Sequence, residues 1–319
     1  MIVQTSSPRY SPRFNACRKC LIQFEYYEQM QIGVFGNHDS WYVSELCRVG
    51  NARGHQVHPL LFDQFTVSIQ TSRIGIHCGE IDLKTLDAVL VRTMPPGTLE
   101  QVVARMDMLA GLEAAGVRVI NPPRALECAV DKYLTTQRLA AAGMPVPATI
   151  VCENSEAALA AFENLGRDVV VKPLFGAEGR GIMRVSDPEL ALRAFRTLER
   201  LGAVLYLQKF VSGPGFDIRV LLLDGQLVGS MKRTPKNGDF RANISQQGTG
   251  ILHVPTDREL KLAQQAASVT GTLFAGVDLM YNSDLEPLLI EVNAVPGWRG
   301  LQRACNMDVP TRLFEWIER

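Results

Sequence analysis

Near the C-terminal end two apolar runs, Gly276-Val-Asp278-Leu-Met-Tyr281 and Leu288-Leu-Ile-Glu291-Val-Asn293, flank a short polar stretch. They read as the two strands of a hairpin, and each carries an acid among Val, Leu and Ile. Strand side chains alternate, so Glu291 and Asn293 share a face. With the turn near residues 283–285, Asp278 falls opposite Glu291 on the neighbouring strand. A carboxylate inside an apolar sheet is costly unless a cation meets it. Three oxygen donors on a rigid hairpin suit Mg²⁺ bridging the phosphates of a nucleotide. The plainer alternative is a surface Asp278 and a salt-bridged strand end at Glu291.

The rest of the chain reads as an α/β domain followed by an α+β body. Gln31-Ile-Gly-Val-Phe-Gly36 is a first strand entering a glycine turn. A helix over 40–50, strands over 56–62, 88–91 and 117–120, and a helix over 99–115 follow it. This rhythm implies a small parallel sheet. Asn121-Pro122-Pro123 then breaks the pattern. A helix is expected over 124–142, and after it strand pairs at 169–172 with 181–185, 205–211 with 218–223, and 276–281 with 287–292. Residues 1–29 are polar, without a clear period, and are expected to be a disordered extension. The expected divisions are therefore 1–29, an N-terminal domain at 30–120, a central subdomain at 121–207 and a C-terminal subdomain at 208–319.

Composition narrows the function classes. Lys plus Arg equals Asp plus Glu at 33 each, which disfavours bulk nucleic-acid binding and hence an RNA-bound factor. Seven cysteines at irregular spacing suggest reduced thiols and a cytoplasmic protein. Cys17-Arg-Lys-Cys20 is half a zinc site with no second half nearby. No apolar run reaches the roughly 18 residues of a membrane helix, so no membrane partner is expected.

Three further segments carry candidate chemistry. In Val169-Val-Val-Lys172-Pro173, followed by Gly176-Ala-Glu-Gly179-Arg-Gly181, a strand delivers one lysine to a glycine loop. Glycine lets backbone N–H groups approach phosphate oxygens, and Lys172 adds a point charge. A glycine-rich hairpin with a snorkelling lysine accounts for the segment equally well. Gln208-Lys209-Phe210-Val211, then Gly213-Pro-Gly215 and Asp217-Ile-Arg219, offers free backbone groups to an adenine edge. Asp217 is there placed for ribose and Arg219 for an anion, although a strand–turn–strand is the simpler reading. The cations Lys232, Arg233, Lys236 and Arg241 lead to Asn243, and such a run is ordinarily a solvated face. Arg241 and Asn243 alternate onto one face, which would suit a phosphate or carboxylate.

Taken in order, Lys132 in Asp131-Lys132-Tyr-Leu-Thr135, the Lys172 glycine loop, the 208–211 hinge, Asp-Ile-Arg219, Phe-Arg241-Ala-Asn243, Gly-Val-Asp278 and Glu291-Val-Asn293 resemble the ATP-grasp superfamily. The nearest branch is the RimK-like α-L-glutamate ligases, and the resemblance covers about residues 121–300. It implies an ATP-grasp fold and an ATP-dependent ligase that joins a carboxylate to an amine through an acyl phosphate. By the same resemblance Lys132 and Lys172 hold ATP phosphates, with Gly176, Gly179 and Gly181 in the loop that closes over them. Gln208, Lys209, Phe210 and Val211 form the adenine hinge and Asp217 meets the ribose. Arg241 and Asn243 touch phosphate or the reacting carboxylate, and Arg219 or Arg241 stabilises the oxyanion. Asp278, Glu291 and Asn293 bind two Mg²⁺, with Mn²⁺ able to substitute.

The amine implied is L-glutamate, and the acceptor a protein, a carrier or a small coenzyme, a pterin type included. The branch commonly forms dimers or tetramers, so the resemblance extends to a homo-oligomer. Trp298 is read as packing or as a platform for a flat acceptor. His38 and Trp41 are read as acceptor contacts or as part of a capped helix start. A catalytically inactive ATP sensor or scaffold on the same fold is the alternative function. Deleting residues 1–29 is expected to leave activity unchanged, and a turnover assay on the truncated chain checks it.

Overall fold

The computed structural model describes residues 10–11, 27–176, 180–235 and 249–319. Gly179, Arg241, Asn243 and the Cys17/Cys20 pair lie outside the described residues. The chain divides into two compact units, residues 1–123 with 308–319, and residues 124–307. The division expected at 207/208 falls inside the second unit, at the step from one sheet to the next.

In the first unit β1 (Tyr10–Ser11) and β2 (Tyr27–Glu28) form a short antiparallel ladder. The parallel sheet follows with β3 (Gln31–Phe35), α1 (Trp41–Ala52), β4 (Gln56–Leu60), β8 (Ala88–Val91), α2 (Leu99–Ala114) and β9 (Arg118–Ile120). Between β4 and β8 lie β5 (Phe65–Gln70), β6 (Arg73–Cys78) and β7 (Ile81–Asp82), an antiparallel sheet absent from the sequence reading. The parallel order β4-β3-β8-β9 puts the first strand in the middle. Ile32, Val34, Phe35 and all of β8 are buried there, the near-continuous apolar run of a sheet covered on both faces. Ser40 is the N-cap of α1 but makes no side-chain cap bond, and Asp39 precedes it. The C-terminal helix Val309–Ile317 belongs to this unit: the Glu318 carboxylate accepts from Arg53 Nε and meets His55 Nε2, both at 2.7 Å.

The second unit begins with α3 (Pro123–Val130) and α4 (Lys132–Ala141), where the sequence reading expects one helix. Asp131 makes the break, because its carboxylate accepts from Leu134 N–H at 3.0 Å and caps a new helix. A first sheet contains β10 (Thr149–Cys152), β11 (Val169–Lys172), β12 (Met183–Val185) and β13 (Leu205–Lys209), in the order β10-β13-β11-β12. Helices α5 (Ser155–Asn164) and α6 (Pro188–Arg200) close it through Phe162 and Phe195, whose rings meet edge to face.

A second, antiparallel sheet comprises β14 (Asp217–Leu223), β15 (Gln226–Thr234), β16 (Thr249–Leu252), β17 (Phe274–Tyr281) and β18 (Pro287–Asn293). Its order is β16-β15-β14-β17-β18. Against it packs α7 (Asp257–Thr270), opened by a Thr256/Glu259 capping box; α8 (Arg299–Cys305) follows the last strand. The expected pairing of 205–211 with 218–223 does not occur. Both edges of β13 are taken by β10 and β11, so β14 starts a new sheet beside β15 and β17.

The crossing between the two sheets depends on Gly213. A Cβ there would run into the backbone carbonyl oxygen of Tyr281. Backbone cannot swing aside as a side chain does, so Gly213→Ala should cost about 1–3 kcal/mol. Chemical denaturation checks this; an unchanged midpoint would show that the crossing is not held by that contact.

Candidate active site

Within the second unit one pocket gathers side chains from both sheets and from the segment joining them. From the first sheet come Val170 and Lys172 on β11 and Tyr206 and Gln208 on β13, alternate residues that share one face. The end of β13 supplies Lys209, the connecting segment Phe210, Val211 and Phe216, and the second sheet Asp217, Asp278, Met280, Ile290 and Glu291. Lys132, at the start of α4, also lines it. Apolar walls (Val170, Ile182, Met280, Ile290) thus lie beside Lys132, Lys172 and three carboxylates, a fit for a flat ring joined to a polyanion.

The two lysines are held differently. Lys132 Nζ donates to the carbonyl of Gly176 at 2.7 Å, tying α4 to the glycine segment. Lys172 Nζ donates to Gln208 Oε1 at 2.6 Å. The Gln208 amide nitrogen in turn donates to Thr149 Oγ1 at 3.1 Å and to the Tyr206 hydroxyl oxygen at 3.2 Å. Because its nitrogen is occupied, its oxygen turns to the ammonium. Burial pulls the Lys172 ammonium down to about 8, against a pull upward from Glu291. The sequence reading placed Gln208 in the hinge and missed this orienting role. Phe210 carries the Arg184 guanidinium over its ring at 3.5 Å, and Arg184 is fixed by a fork to Asp168 at 2.8 and 2.7 Å.

On the second sheet the register sets four charges on one face. Arg219 on β14 lies opposite Asp278 on β17, and Asp217 on β14 opposite Arg233 on β15. Arg219 grips Asp278 through Nε and through Nη2, the latter at 2.6 Å. Arg233 grips Asp217 at 2.5 and 2.8 Å and reaches Asp278 Oδ2 at 3.0 Å. All four side chains are buried. Burial works against the charged Asp278, but Arg219 and Arg233 outweigh it and hold the carboxyl below its ordinary range. The cation run read as a solvated face therefore has Arg233 as an interior residue.

Asp278 stands opposite Glu291, as the hairpin arithmetic expects. A bulge at Asp278/Leu279 then leaves Ile290 as the extra residue, so Ile290 and Glu291 both line the pocket. Among the described residues Glu291 carries no hydrogen bond or ion pair. The Asn293 amide nitrogen donates to Gly276 O at 3.4 Å, a bond that does not use its oxygen. Asp278 accepts three N–H bonds of the roughly four its lone pairs allow. No group of three or more His, Cys, Asp or Glu gathers among the described residues. This donor set fits Mg²⁺, which takes one or two carboxylates from protein and fills its octahedron with water and phosphate oxygens.

The structure thus brings together Lys132, Lys172, the 208–211 segment, Asp217, Asp278 and Glu291. Arg219 sits behind them, on Asp278. Gly176 touches the site through Lys132, and Gly181 lies against Pro173. Trp298 is fully buried, its ring 5.7 Å from that of Phe274. Cys305 gives its thiol to Ser230 O. No helix among the described residues is long and apolar enough to cross a membrane.

Comparison with known proteins agrees with this architecture. Residues 129–317 match the RimK-like ATP-grasp domain, and residues 30–126 the RimK pre-ATP-grasp domain. The chain is 31% identical to a tetrahydromethanopterin:alpha-L-glutamate ligase of Methanosarcina acetivorans, covering 88% of this chain and 96% of that one. It is 30% identical to a probable alpha-L-glutamate ligase of Stenotrophomonas maltophilia, covering 91% and 99%. Among solved structures, the ATP-grasp ligase PsnB with a minimal precursor is similar at a TM-score of 0.71 and 24% identity, over 91% of this chain and 98% of that chain. A second PsnB structure, holding Mg and ADP, matches at the same TM-score and identity over 90% and 97%. A chain with two consecutive matching domains, an ATP-grasp fold and a relative of this identity belongs to the RimK-like ATP-grasp family.

Proposed function

We propose that this chain is an ATP- and Mg²⁺-dependent ligase that joins L-glutamate through its amine to the carboxylate of an acceptor. The observation that carries the reading is one pocket holding two lysines, a hinge, and Asp278 opposite Glu291 on neighbouring strands. The relatives named as α-L-glutamate ligases support the amine, and those named for tetrahydromethanopterin support a pterin-type coenzyme as acceptor.

In this reading the base lies between the walls of Val170, Ile182, Met280 and Ile290, along the 208–211 backbone. Asp217 meets the ribose, while Lys132 and Lys172 take the phosphates. Asp278, Glu291 and Asn293 would hold the Mg²⁺ ions, two by the family resemblance, and Mn²⁺ would substitute there. Bound Mg²⁺ draws charge from the phosphate oxygens as transfer proceeds. The acceptor carboxylate attacks the γ-phosphorus, the bond to ADP breaks, and an acyl phosphate forms. Glutamate's amine then attacks the acyl carbon, phosphate leaves, and the amine proton passes to solvent. Lys172 keeps its ammonium aimed by Gln208 and offsets charge on the transferring group. Arg241 and Asn243 remain assigned to phosphate or carboxylate by resemblance.

Three outcomes are expected. Incubating the protein with Mg-ATP, L-glutamate and a panel of carboxylate acceptors should release ADP together with a glutamyl mass gain on one acceptor. No ADP with any acceptor, despite tight Mg-ATP binding, would favour another amine or the inactive sensor.

Glu291→Ala should abolish turnover with the melting temperature almost unchanged, since Glu291 holds no partner among the described residues. Asp278→Ala, by contrast, strands two buried guanidinium groups and should cost about 3–5 kcal/mol. Equal melting temperatures for the two variants would refute that division of roles.

Affinity for a non-hydrolysable ATP analogue should fall as pH rises through about 8, where Lys172 loses its charge. Lys172→Arg should remove this inflection, because a guanidinium stays charged there. An inflection that survives the substitution would locate the titrating group elsewhere.

A further inference from the structure

We propose that Arg233 is a positioning residue that holds the nucleotide end and the metal end of the pocket in one arrangement. The inference rests on the proposed placing of ribose at Asp217 and metal at Asp278. Three consecutive strands meet here, β15, β14 and β17, and Arg233 on β15 reaches both its neighbour β14 and, beyond it, β17. Its fork occupies both oxygens of Asp217, at 2.5 and 2.8 Å, and the same Nη2 lies 3.0 Å from Asp278 Oδ2. With Arg219 on the other side of Asp278, the cluster contains two cations and two anions in alternation. It is neutral as a set, and every member is buried.

The geometry gives the two arginines different reach. Arg219 contacts Asp278, whereas Arg233 contacts both carboxylates. A planar guanidinium can serve two acceptors at fixed angles, while an ammonium is a single point with no fixed fork. Replacing Arg233 by lysine therefore keeps the charge but leaves one carboxylate free to turn. Groups that orient ligating carboxylates typically govern metal affinity by 10–100-fold when removed. Arg233 touches neither nucleotide nor metal in this arrangement; it acts through the two acids.

Direct binding measurements test this on the full chain. ADP binding is read by calorimetry in EDTA, so that no metal contributes, and Mn²⁺ binding by its electron paramagnetic resonance signal without nucleotide. Arg233→Lys should weaken both by about tenfold or more. Arg219→Lys should weaken Mn²⁺ binding and leave ADP binding in EDTA within about twofold. Arg233→Lys affecting neither affinity, or only one, overturns the proposal, provided circular dichroism shows the native fold.

Should Arg233→Lys fail to fold, the charge-balanced double variant Arg233→Met with Asp217→Asn removes one cation and one anion together. That variant should still bind Mn²⁺ about tenfold more weakly, and wild-type Mn²⁺ affinity in it overturns the proposal. Glu291→Ala separates this failure from failure of the site itself. Loss of Mn²⁺ binding in Glu291→Ala with unmoved Arg233→Lys sinks only the role of Arg233. Unchanged Mn²⁺ binding in both sinks the placing of the metal.

Discussion

The second sheet can carry acids in its interior because each is met by a guanidinium on an adjacent strand. Asp217, Arg233, Asp278 and Arg219 occupy one face of three neighbouring strands, and the antiparallel register that pairs their backbones also pairs their charges. Breaking one buried partnership leaves an uncompensated ion, which is far more costly than losing the contact itself. The register of β14, β15 and β17 is therefore bound to the site: a one-residue slip would send these ions into the packed face. Fold and the proposed active-site chemistry thus depend on the same four residues.

The first sheet contributes a cation held by neutral groups. Lys172 is half-buried, with Gln208 as its partner and no carboxylate bonded to it among the described residues. Gln208 is itself fixed by Thr149 and Tyr206, so the ammonium is aimed before any ligand arrives. A cation hydrogen-bonded to an amide oxygen, with carboxylates acting on it at longer range, gains from an incoming anion. The carboxylate-rich strands and the lysine-bearing strands thus present opposite signs to one pocket, the arrangement a phosphate–metal pair requires.

Much of this was legible from residue order. The Asp278/Glu291 facing follows from a polar turn of known length between two apolar runs, and the parallel sheet follows from short apolar strands separated by helical spacing. The break at Asp131 was visible in principle, since an Asp three residues before Leu134 is an N-cap signal within a long helical stretch. Other features depend on distant pairing. Arg233 sits in a run of cations that reads as solvated, and only its strand neighbours make it interior. The bulge that brings Ile290 in beside Glu291 comes from the ladder and has no mark in the sequence. Which sheet β14 joins, and the three-stranded sheet of 65–82, likewise turn on which strand edges remain open.

Carboxylate activation by phosphoryl transfer is the step on which the proposed chemistry depends, and isotope transfer tests it most directly. The acceptor's carboxylate would be labelled with ¹⁸O and the phosphate released during turnover examined by mass spectrometry. Attack of that carboxylate on the γ-phosphorus, followed by displacement by the amine, should place one ¹⁸O in each phosphate formed. Phosphate free of label, with amide still produced, would contradict an acyl-phosphate route and the roles proposed for Lys172, Asp278 and Glu291.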